Sequence, residues 1–568
     1  MQENTSKTVC RNLADLLVAH GVEAVFSSPG SRNAPIIVAL SSKEELNITP
    51  VVDERVAAFM ALGYSLISNR PVALVCTSGT ALLNFLPAVA ESFYRKVPLI
   101  VISADRPVEW IDQDDSQTIR QLGVLDNFVK KSYDIDDRDD VSSLWYANRQ
   151  INDALLLAVN GRKSPVHINI RLCEPLNGLI NQKSHERVRV ISQITPREDI
   201  ETALSRQLAS DIASPRKIMI IAGFNSPDNT LNKALNKIAA LPNFIILTET
   251  ISNLHGADFI SSIDTVLSVM SDDSKRVMAP DVVITLGGAL VSRHVKTYIR
   301  NSKIKEHWHV GLSHTTIDCF CSLTRRIEME PAIFFRQLAS GLQPHRIPSD
   351  YKQKWLEIRD FALKTHDDFS VRAPWSDFKA FAILTELLPR DCNLQISNGT
   401  PIRYMQLFAG KRFHRSDCNR GVSGIDGATS TSVGAAMAAP DRLTVLISGD
   451  MGAQYDIGAL TYAHKIPNFR MVVIMNGGGS IFRFIGSTEN LPQMEQYLAI
   501  NNTFPIKELA EAYGIRYFEA ASPQDLNDVF PKFIDRQQKS AALLAIYTPI
   551  DDNATILKKY FRRTMINN

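Results

Sequence analysis

The chain contains few cysteines, and their arrangement excludes two kinds of stabilised domain. Only seven of its 568 residues are cysteine. Their number is odd, and no two of them form a Cys-x-x-Cys pair. Disulfide frameworks and structural zinc sites are normally built on paired cysteines, so we expect neither. Sparse cysteine is typical of a reducing compartment, and we therefore expect a cytoplasmic protein.

The chain also lacks an excess of charge and a long apolar run. Its 62 basic residues nearly balance its 60 acidic residues, which leaves a formal net charge of +2. This balance gives no support to binding of nucleic acid or of an anionic membrane surface. No apolar stretch approaches the roughly 20 residues that cross a bilayer, and the polar segment 1–11 has no signal-peptide profile. We expect no nucleic-acid partner and no membrane association.

The composition of the chain is that of a large globular protein. Apolar residues make up 45% of the chain and charged residues 21%, and a chain of this length exceeds a single hydrophobic core. Short apolar, β-branched runs alternate with segments of helical spacing, which predicts α/β domains with doubly wound parallel sheets. We predict three such domains, at residues 1–185, 198–345 and 375–568, separated by polar or charged stretches.

One stretch combines two strand ends with oxygen-bearing side chains. The run Leu443–Ser448 is followed by Asp450, and the run Arg470–Met475 is followed by Asn476 and three glycines. In a parallel α/β sheet both side chains would lie at the carboxyl ends of strands, where such folds bind ligands. A carboxylate, an amide and a glycine carbonyl are hard oxygen donors, suited to Mg²⁺ that is also held by a diphosphate. The alternative is ordinary turn chemistry, because both patterns are common in loops.

A carboxylate and a set of cations are further candidates. Glu54 lies where a strand passes into a helix, so it is either a helix N-terminal acid or a buried group for proton chemistry. Guanidinium groups at strand ends suit carboxylate or phosphate ligands, although any one of them is as well explained by a surface salt bridge. These cations and their polar neighbours are Ser31, Arg32, Arg106, Gln117, Arg120, Arg293, Arg403 and Arg420. The pair Gly287-Gly288 suggests a dinucleotide turn, but it lacks the third spaced glycine of that motif.

Six motifs occur in the order found in one enzyme family. They are Ser28-Pro-Gly-Ser-Arg32, Val52-Asp-Glu-Arg55, Ala104-Asp-Arg-Pro107, Gln117-Thr-Ile-Arg-Gln121, Asn419-Arg-Gly-Val-Ser-Gly-Ile-Asp-Gly427 and Asn476-Gly-Gly-Gly-Ser-Ile-Phe482. Over nearly its whole length the chain resembles the MenD family. These are the thiamine diphosphate-dependent 2-succinyl-5-enolpyruvyl-6-hydroxy-3-cyclohexene-1-carboxylate synthases of menaquinone biosynthesis.

The resemblance implies an architecture, cofactors and a reaction. The domains at 1–185, 198–345 and 375–568 would be a pyrimidine-binding, a central and a diphosphate- and magnesium-binding domain. The cofactors would be thiamine diphosphate and Mg²⁺, with Mn²⁺ as an alternative metal, in a homodimer or homotetramer whose active sites lie at the subunit interface. The implied transferase decarboxylates 2-oxoglutarate and adds the succinyl semialdehyde carbanion to isochorismate in a 1,4-addition, which releases CO₂.

The resemblance also implies roles for individual residues. The catalytic residue would be Glu54, which binds the aminopyrimidine of the cofactor and promotes its imino form. The metal would be held by Asp450, Asn476 and the Gly478 carbonyl. The implied cofactor-binding residues are Glu54, Pro29, Gly30, Ser423, Ile425, Gly449, Asp450, Met451, Gly452, Asn476, Gly478, Gly479 and Ile481. The implied substrate-binding residues are Ser31, Arg32, Arg106, Gln117, Arg293, Arg403, Arg420 and Phe482.

Two positions depart from the family pattern, and other functions compete with the leading one. Arg293 stands where lysine is common, and Gly399 stands where a substrate-binding serine is frequent. A nearer alternative is another thiamine diphosphate enzyme, such as an acetohydroxyacid synthase or a 2-oxoacid decarboxylase. A non-catalytic thiamine-fold binding protein would have no need of Glu54, Asp450 and Asn476. The hypothesis of a nucleotide-dependent oxidoreductase rests only on the paired glycines at 287 and 288 and on a generic sheet.

Overall fold

Three six-stranded sheets form the framework of the chain in its computed structural model. The structure describes residues 3–181, 188–196, 199–212, 216–342, 348–500 and 504–563. Neighbouring strands run parallel within each sheet, and helices connect them. The predicted class, α/β with doubly wound parallel sheets, is confirmed.

The first sheet lies in the part of the chain before residue 182. Its segment contains strands β1 (Glu3–Thr5), β2 (Ala24–Ser27), β3 (Asn47–Pro50), β4 (Val72–Cys76), β5 (Leu99–Asp105), β6 (Ser132–Asp136), β7 (Val166–Arg171) and β8 (Leu179–Asn181). Its helices are α1 (Thr8–Ala19), α2 (Ala34–Ser41), α3 (Glu54–Ser68), α4 (Ala81–Arg95) and α5 (Val141–Val159). The sheet order is β3-β2-β4-β5-β7-β6, while β1 and β8 form a separate antiparallel pair.

The second sheet lies in the central part of the chain. Its strands are β9 (Ile218–Ala222), β10 (Phe244–Thr248), β11 (Phe259–Ile260), β12 (Val282–Leu286), β13 (Glu306–Val310) and β14 (Arg325–Ile327). The helices are α6 (Thr202–Ile212), α7 (Asn229–Ala239), α8 (Ile263–Ser268), α9 (Asp272–Val277), α10 (Arg293–Asn301), α11 (Pro331–Gly341) and α12 (Tyr351–Arg372). The order is β11-β10-β9-β12-β13-β14.

The third sheet repeats the strand order of the first. Its strands are β15 (Asn393–Ile396), β16 (Arg415–Asp417), β17 (Thr444–Gly449), β18 (Phe469–Met475), β19 (Arg516–Ala520) and β20 (Ala542–Tyr547), in the order β16-β15-β17-β18-β20-β19. The helices are α13 (Asp377–Leu387), α14 (Thr400–Leu407), α15 (Ala428–Ala438), α16 (Asp450–Tyr455), α17 (Leu460–Ala463), α18 (Ile506–Ala512), α19 (Pro523–Phe533) and α20 (Asp552–Phe561). A π-helical turn covers Met494–Ala499.

The chain divides into two compact units that interleave along the sequence. The first comprises Met1–Pro196, Gly421–Asp441 and Tyr455–Phe469, and the second comprises the remaining segments, Arg197–Arg420, Arg442–Gln454 and Arg470–Asn568. The predicted domain boundaries at 185, 198, 345 and 568 lie outside the described residues, and the division into three domains stays a prediction. Across the described part of the chain, no helix has the length and apolar character needed to span a bilayer.

Apolar, β-branched runs form the central strands because both faces of each parallel sheet are covered. All five residues of β4, β9 and β10 are buried, and so are all seven of β5. Such strands read as continuous apolar runs rather than as alternating patterns, which is why the sequence predicts them well.

Within the first unit, helix α15 packs against helix α3 with backbone in direct approach. A Cβ at Gly63 would lie 1.8 Å from the Thr431 carbonyl oxygen, and one at Gly434 would lie 1.9 Å from the Met60 carbonyl oxygen. Helix α15 consists mainly of alanine, serine, threonine and glycine, and nine of its residues are buried, from Ala428 to Ala436. Small side chains are therefore required along this contact.

We predict that Gly434→Ala lowers the free energy of unfolding by about 1–3 kcal/mol, because the added methyl group overpacks a backbone contact that has no room for it. Urea denaturation followed by circular dichroism measures the change. Gly410→Ala is the matched control, since a Cβ there meets nothing within 4 Å. Equal stability of the two variants would contradict the close approach.

Candidate active site

Strand order places reversal points in the first and third sheets. Strands β2 and β4 are neighbours in the first sheet, and β15 and β17 are the corresponding neighbours in the third. Doubly wound sheets bind ligands outside the carboxyl ends of such strands. The predicted residues Pro29–Arg32 follow β2, whereas Gly449 ends β17 and Asp450 begins α16. The sequence therefore assigned these residues to the correct ends of their strands.

In the first unit, the loop after β2 is fixed by internal hydrogen bonds and by the loop after β4. The Asn33 Nδ2 donates to the Ser28 carbonyl oxygen at 2.9 Å. A Cβ at Gly30 would lie 2.2 Å from the Cβ of Thr77, so glycine is needed at this approach. The residues exposed at this edge are Pro29, Gly30 and Ser31.

Two arginines at the same sheet's strand ends contact partners within the unit. Arg32 is buried, donates from Nη1 to the Leu172 carbonyl oxygen at 3.0 Å, and pairs through Nη2 with Glu174 Oε1 at 3.0 Å. Arg106 forms an ion pair with Asp115, while its buried Nε has no hydrogen-bond partner in the described part of the chain. Arg106 thus keeps an unused donor.

Two glutamines link the loops at this edge. Gln117 donates from Nε2 to the Ser78 carbonyl oxygen at 3.2 Å and has a left-handed φ of 58°. The buried Gln121 accepts from the Gly79 N–H at 2.8 Å and donates from Nε2 to Asn169 Oδ1 at 2.9 Å. Sequence reasoning gave Gln121 no role, although it closes the same motif as Gln117. Its Nε2 also donates to the Ala104 carbonyl oxygen at 3.1 Å, so Gln121 joins the carboxyl-end regions of β4, β5 and β7.

Glu54 is the first residue of α3, and its carboxyl group is half-buried. The helix is capped by its neighbour Asp53, whose Oδ1 accepts from the N–H groups of Arg55 at 2.9 Å and Val56 at 3.2 Å. Burial raises the pKa of Glu54, the charge of Asp53 raises it further, and a backbone hydrogen bond opposes the shift. Burial raises the pKa of Cys76 at the end of β4, and the charge of Glu54 raises it further. Glu54 and Cys76 therefore lie near each other.

A buried carboxylate holds the start of the loop that carries Ser423 and Ile425. Glu91 is fully buried and accepts from the Gly421 N–H at 2.8 Å and from the Val422 N–H at 2.7 Å. Burial raises the pKa of Glu91, and these two N–H groups oppose the shift. Ser423 is exposed with a left-handed φ of 66°, and Ile425 is half-buried. Sequence reasoning missed Glu91, which lies inside α4 without a local motif.

In the second unit, Asp450 and Gly478 are connected by a hydrogen bond. Asp450 is buried, its Oδ2 accepts from the Gly478 N–H at 2.8 Å, and its Oδ1 accepts from the Met451 N–H at 2.7 Å. Burial raises the pKa of Asp450, and these N–H groups oppose the rise. Gly477 and Gly478 have φ values of 77° and 99°, and a Cβ at Gly478 would lie 2.2 Å from the Ala499 carbonyl oxygen.

A second carboxylate fixes the orientation of Asn476. The Asn476 Nδ2 donates to Asp377 Oδ2 at 2.8 Å, and the Thr548 hydroxyl donates to Asp377 Oδ1 at 2.6 Å. An ionised carboxylate only accepts hydrogen bonds, so the amide nitrogen faces Asp377 and the amide oxygen faces away from it. Burial raises the pKa of Asp377 to about 6, with a contribution from the Asp450 charge. The sequence gave no signal for Asp377, which begins α13.

The other predicted cofactor residues of this unit surround the same strand ends. The Gly479 N–H donates to the Ala499 carbonyl oxygen at 2.7 Å, and a Cβ at Gly479 would lie 2.7 Å from the Phe482 ring. Gly449, Met451, Ile481 and Phe482 are half-buried, and Gly452 and Gly479 are buried.

Three arginines share one electrostatic environment in this unit. Arg403 donates to the Gly399 carbonyl oxygen, and Arg420 donates from Nη1 to Asn398 Oδ1 at 3.1 Å. The pKa of Arg403 is lowered to about 10 by burial and by the charges of Arg420 and Arg293. The buried Nε of Arg420 has no partner among the residues described. Gly399 has a φ of 96°, so the serine expected from the family would be strained at this position.

A cavity of about 290 Å³ opens beside these arginines. Arg293, Arg403 and Lys558 are among its cationic residues, and Tyr404 and Phe561 are among its apolar ones. An apolar cavity with cationic groups suits a small organic anion. The predicted substrate residues Arg293 and Arg403 are thus brought together, although Arg293 itself is exposed.

The paired glycines after strand β12 of the central sheet are explained by close packing. The reversal point of this sheet lies between β9 and β12, where Gly287 and Gly288 follow β12. A Cβ at Gly288 would lie 2.0 Å from the Phe224 ring, and one at Gly223 would lie 1.9 Å from the Gly288 carbonyl oxygen. Gly288 is therefore needed because the Phe224 ring packs directly against its backbone. The glycines serve close packing.

The predicted site residues consequently form two sets, one in each unit. The first-unit set is Pro29, Gly30, Ser31, Arg32, Glu54, Arg106, Gln117, Ser423 and Ile425. The second-unit set is Arg293, Arg403, Arg420, Gly449, Asp450, Met451, Gly452, Asn476, Gly478, Gly479, Ile481 and Phe482. Arg120, a weaker candidate, is exposed and pairs with Asp112 at 2.6 Å through Nε. It is explained as a surface salt bridge.

Comparison with known proteins assigns the chain to one enzyme class. Residues 7–124 match the model of the thiamine pyrophosphate enzyme, N-terminal TPP binding domain, and residues 399–546 match that of the C-terminal TPP binding domain. The 2-succinyl-5-enolpyruvyl-6-hydroxy-3-cyclohexene-1-carboxylate synthase of Porphyromonas gingivalis is 39% identical over 557 residues, which is 97% of this chain and 96% of that protein.

Two further relatives are synthases of the same name. The synthase of Flavobacterium johnsoniae is 36% identical over 559 residues, covering 98% of each chain. That of Bacteroides thetaiotaomicron is 35% identical over 555 residues, covering 97% of this chain and 98% of the other. With this identity over almost the full length of each protein, the chain belongs to the MenD family of thiamine diphosphate-dependent 2-succinyl-5-enolpyruvyl-6-hydroxy-3-cyclohexene-1-carboxylate synthases.

Proposed function

We propose that the chain decarboxylates 2-oxoglutarate and adds the succinyl semialdehyde carbanion to isochorismate in a 1,4-addition. The products are 2-succinyl-5-enolpyruvyl-6-hydroxy-3-cyclohexene-1-carboxylate and CO₂, in menaquinone biosynthesis. The observation that carries this proposal is the cluster of Arg293, Arg403 and Arg420, which lies in the same unit as Asp450 and Asn476. Both substrates carry several carboxylates, which guanidinium groups bind with charge and with paired hydrogen bonds.

The residues present fit thiamine diphosphate and a divalent cation. Asp450, the outward amide oxygen of Asn476 and the Gly478 carbonyl are the hard oxygen donors that Mg²⁺ takes; Mn²⁺ is the alternative metal. A cation there would stabilise the buried Asp450 as a carboxylate, against the burial that raises its pKa. When bound, thiamine diphosphate supplies a nucleophilic carbon that adds to a 2-oxo group and accepts the electron pair left by CO₂.

The side chains of both sets have separate tasks in this proposal. Glu54 exchanges a proton with the aminopyrimidine, and its raised pKa keeps that proton available at a higher pH than on an exposed glutamate. Arg403 and Arg420 bind the carboxylates of 2-oxoglutarate. The residues that position isochorismate are Ser31, Arg32, Arg106, Gln117 and Arg293. The apolar residues that exclude water from the reacting carbon are Ile425, Ile481 and Phe482.

A homodimer or homotetramer with active sites at the subunit interface, located in the cytoplasm, is part of the proposal. Val52, two residues before Glu54, is 74% exposed, and Trp110 in the same unit is 48% exposed. We assign both side chains to the surface that the partner subunit covers, because contiguous exposed apolar patches mark such surfaces. Light scattering of the purified protein measures the number of subunits.

The test of the function is an assay with thiamine diphosphate, Mg²⁺, 2-oxoglutarate and isochorismate, in which each component is omitted in turn. We expect the adduct only in the complete mixture, together with CO₂. Turnover of pyruvate alone would favour an acetohydroxyacid synthase or a 2-oxoacid decarboxylase. A protein that binds no thiamine diphosphate in the presence of Mg²⁺ would instead be a non-catalytic relative.

We predict that Glu54→Gln lowers kcat by about 10²- to 10⁴-fold, because an amide keeps the size of the side chain but cannot exchange its proton in the same way. Initial rates of CO₂ release measure the effect. The control is Glu44→Gln, which removes an exposed carboxylate from the same unit and should leave kcat unchanged. Full activity of the Glu54 variant would exclude the proton role.

We also predict that Asp450→Asn weakens metal binding by at least about tenfold, because it removes the charged oxygen donor while retaining the shape of the side chain. Electron paramagnetic resonance of free Mn²⁺, titrated against protein and thiamine diphosphate, gives the affinity without turnover. Asp391→Asn is the control, since Asp391 is a surface carboxylate of the same unit that pairs with Arg536. Unchanged Mn²⁺ affinity in the Asp450 variant would remove it from the ligand set.

A further inference from the structure

Glu249 is a buried carboxylate to which the sequence and the proposed mechanism give no task. It follows β10 directly, and only 3% of the residue is exposed. Its Oε1 accepts from the N–H groups of Val291 at 2.9 Å and Ser292 at 2.7 Å, and its Oε2 accepts from the Val291 N–H at 2.8 Å. Both carboxylate oxygens therefore accept hydrogen bonds from one short segment, which follows the end of strand β12.

That segment, residues 290–292, immediately precedes Arg293 and contacts Arg420. Ser292 caps α10 by accepting from the Val295 N–H at 3.1 Å, and the helix begins at Arg293. The Leu290 carbonyl oxygen, at the other end of the segment, accepts from Arg420 Nη2 at 3.3 Å. One carboxylate thus holds both the start of the helix that presents Arg293 and the backbone acceptor of Arg420.

The residue next to Glu249 connects the same turn to the third arginine. The Thr250 N–H donates to Gln406 Oε1 at 3.0 Å, and Gln406 lies on α14, the helix that carries Arg403. Glu249 and its neighbour Thr250 consequently contact two segments, residues 291–292 and helix α14, that lie next to the three arginines in sequence or in space. Glu249 also caps the short 3-10 turn Thr250–Ser252 in a capping box with Ser252, and these contacts together offset the solvation cost of burying its carboxylate.

The charges around Glu249 fit this task. The charge of Arg420 lowers the pKa of Glu249 and that of Asp264 raises it, while Lys296 also lies within the range of the Glu249 charge. Burial is the largest effect, and it raises the pKa to about 7 against the opposing Ser292 and Val291 N–H groups. Ionisation strengthens the hydrogen bonds to those N–H groups, because a carboxylate is the better acceptor.

We propose that Glu249 is the positioning residue of the carboxylate-binding site: its carboxylate holds segment 290–292, so that Arg420 is placed beside Arg403 for 2-oxoglutarate and Arg293 is placed for isochorismate. This inference rests on the proposed function, in which the three arginines bind 2-oxoglutarate and isochorismate. Glu249 itself touches neither substrate. Its effect is on substrate affinity, and the groups that hold the metal and exchange the proton are different ones.

The test is Glu249→Gln in the thiamine diphosphate- and Mg²⁺-loaded enzyme. An amide has one acceptor oxygen and brings N–H groups toward the N–H groups of residues 291 and 292. We expect KM for 2-oxoglutarate to rise about tenfold or more while kcat changes less than about threefold, the pattern of lost substrate binding. The activation constant for thiamine diphosphate should stay the same.

A pH profile separates this role from a general loss of structure. In the wild-type enzyme, kcat/KM for 2-oxoglutarate should fall as the pH drops through about 7, where Glu249 takes up a proton. Burial sets most of this value, and Asp264, Arg420 and Lys296 are the charged groups nearby. The Glu249→Gln enzyme should lack this limb of the profile.

The matched control is Glu306→Gln, in the same sheet but at the start of a strand. Glu306 begins β13 and accepts from Arg216 Nη2 at 2.7 Å and from Trp308 Nε1 at 3.1 Å, away from the arginine cluster. Its KM for 2-oxoglutarate should equal that of the wild type. If Glu249→Gln does not fold, Glu249→Asp, which keeps the charge but shortens the side chain by one methylene, is expected to raise the same KM.

The outcomes are distinguishable. A wild-type enzyme without activity on the two substrates would overturn the proposed function. An active wild type, with a Glu249 variant whose KM for 2-oxoglutarate is unchanged, would overturn the positioning role alone. Equal losses in kcat and in the activation constant for thiamine diphosphate would also overturn it, because they would indicate structural damage.

Discussion

The contact between helices α3 and α15 is the constraint on which the first half of the site depends. Their backbones approach so closely at Gly63 and Gly434 that neither position has room for a Cβ. Helix α3 begins at Glu54, and α15 begins just after the loop that carries Ile425. A contact between segments far apart in sequence therefore fixes the proton-carrying group and an apolar loop within one rigid frame. The requirement for glycine at both positions follows from this distance and not from the turn chemistry of either helix.

Buried carboxylates provide the second recurring constraint. Glu91, Glu249 and Asp450 each accept hydrogen bonds from the backbone N–H groups of a loop that is remote in sequence. Burial raises the pKa of all three, and the N–H groups oppose that rise. Such bonds are strong because an ionised acceptor in a poorly solvated site has no competing water. Each carboxylate fixes a loop that connects a strand to the helical segment after it.

The sequence predicts what is encoded locally and fails where the partner is distant. The sequence predicts Asp450 and Asn476 as site residues because each follows a strand of continuous apolar residues, and both the strands and the polar residues after them are local patterns. Glu91 and Glu249 were missed because an acid within a helix or after a strand is ordinary until its partners, residues 421–422 and 291–292, are known.

Backbone geometry explains the remaining differences. The sequence treats Gly399 as a departure from a family serine, and only its φ of 96° shows why glycine is the better residue. The pair Gly287-Gly288 matches part of a nucleotide motif, yet the close approach of the Phe224 ring to Gly288 already explains why glycine stands there. In both cases the deciding quantity is a dihedral angle or a distance of close approach. Residue type alone does not encode either one.

The arginine cluster gives a physical reason for a dicarboxylate substrate. The charges of Arg420 and Arg293 lower the pKa of Arg403, which means that the three cations repel one another when no anion is bound. Asp264 and Glu249 offset part of this repulsion, but they are fewer than the cations they face. An incoming anion gains the free energy of relieving the rest, and this gain grows with its charge. A substrate with two carboxylates, such as 2-oxoglutarate, is therefore favoured over pyruvate by electrostatics before any contact of shape discriminates between them.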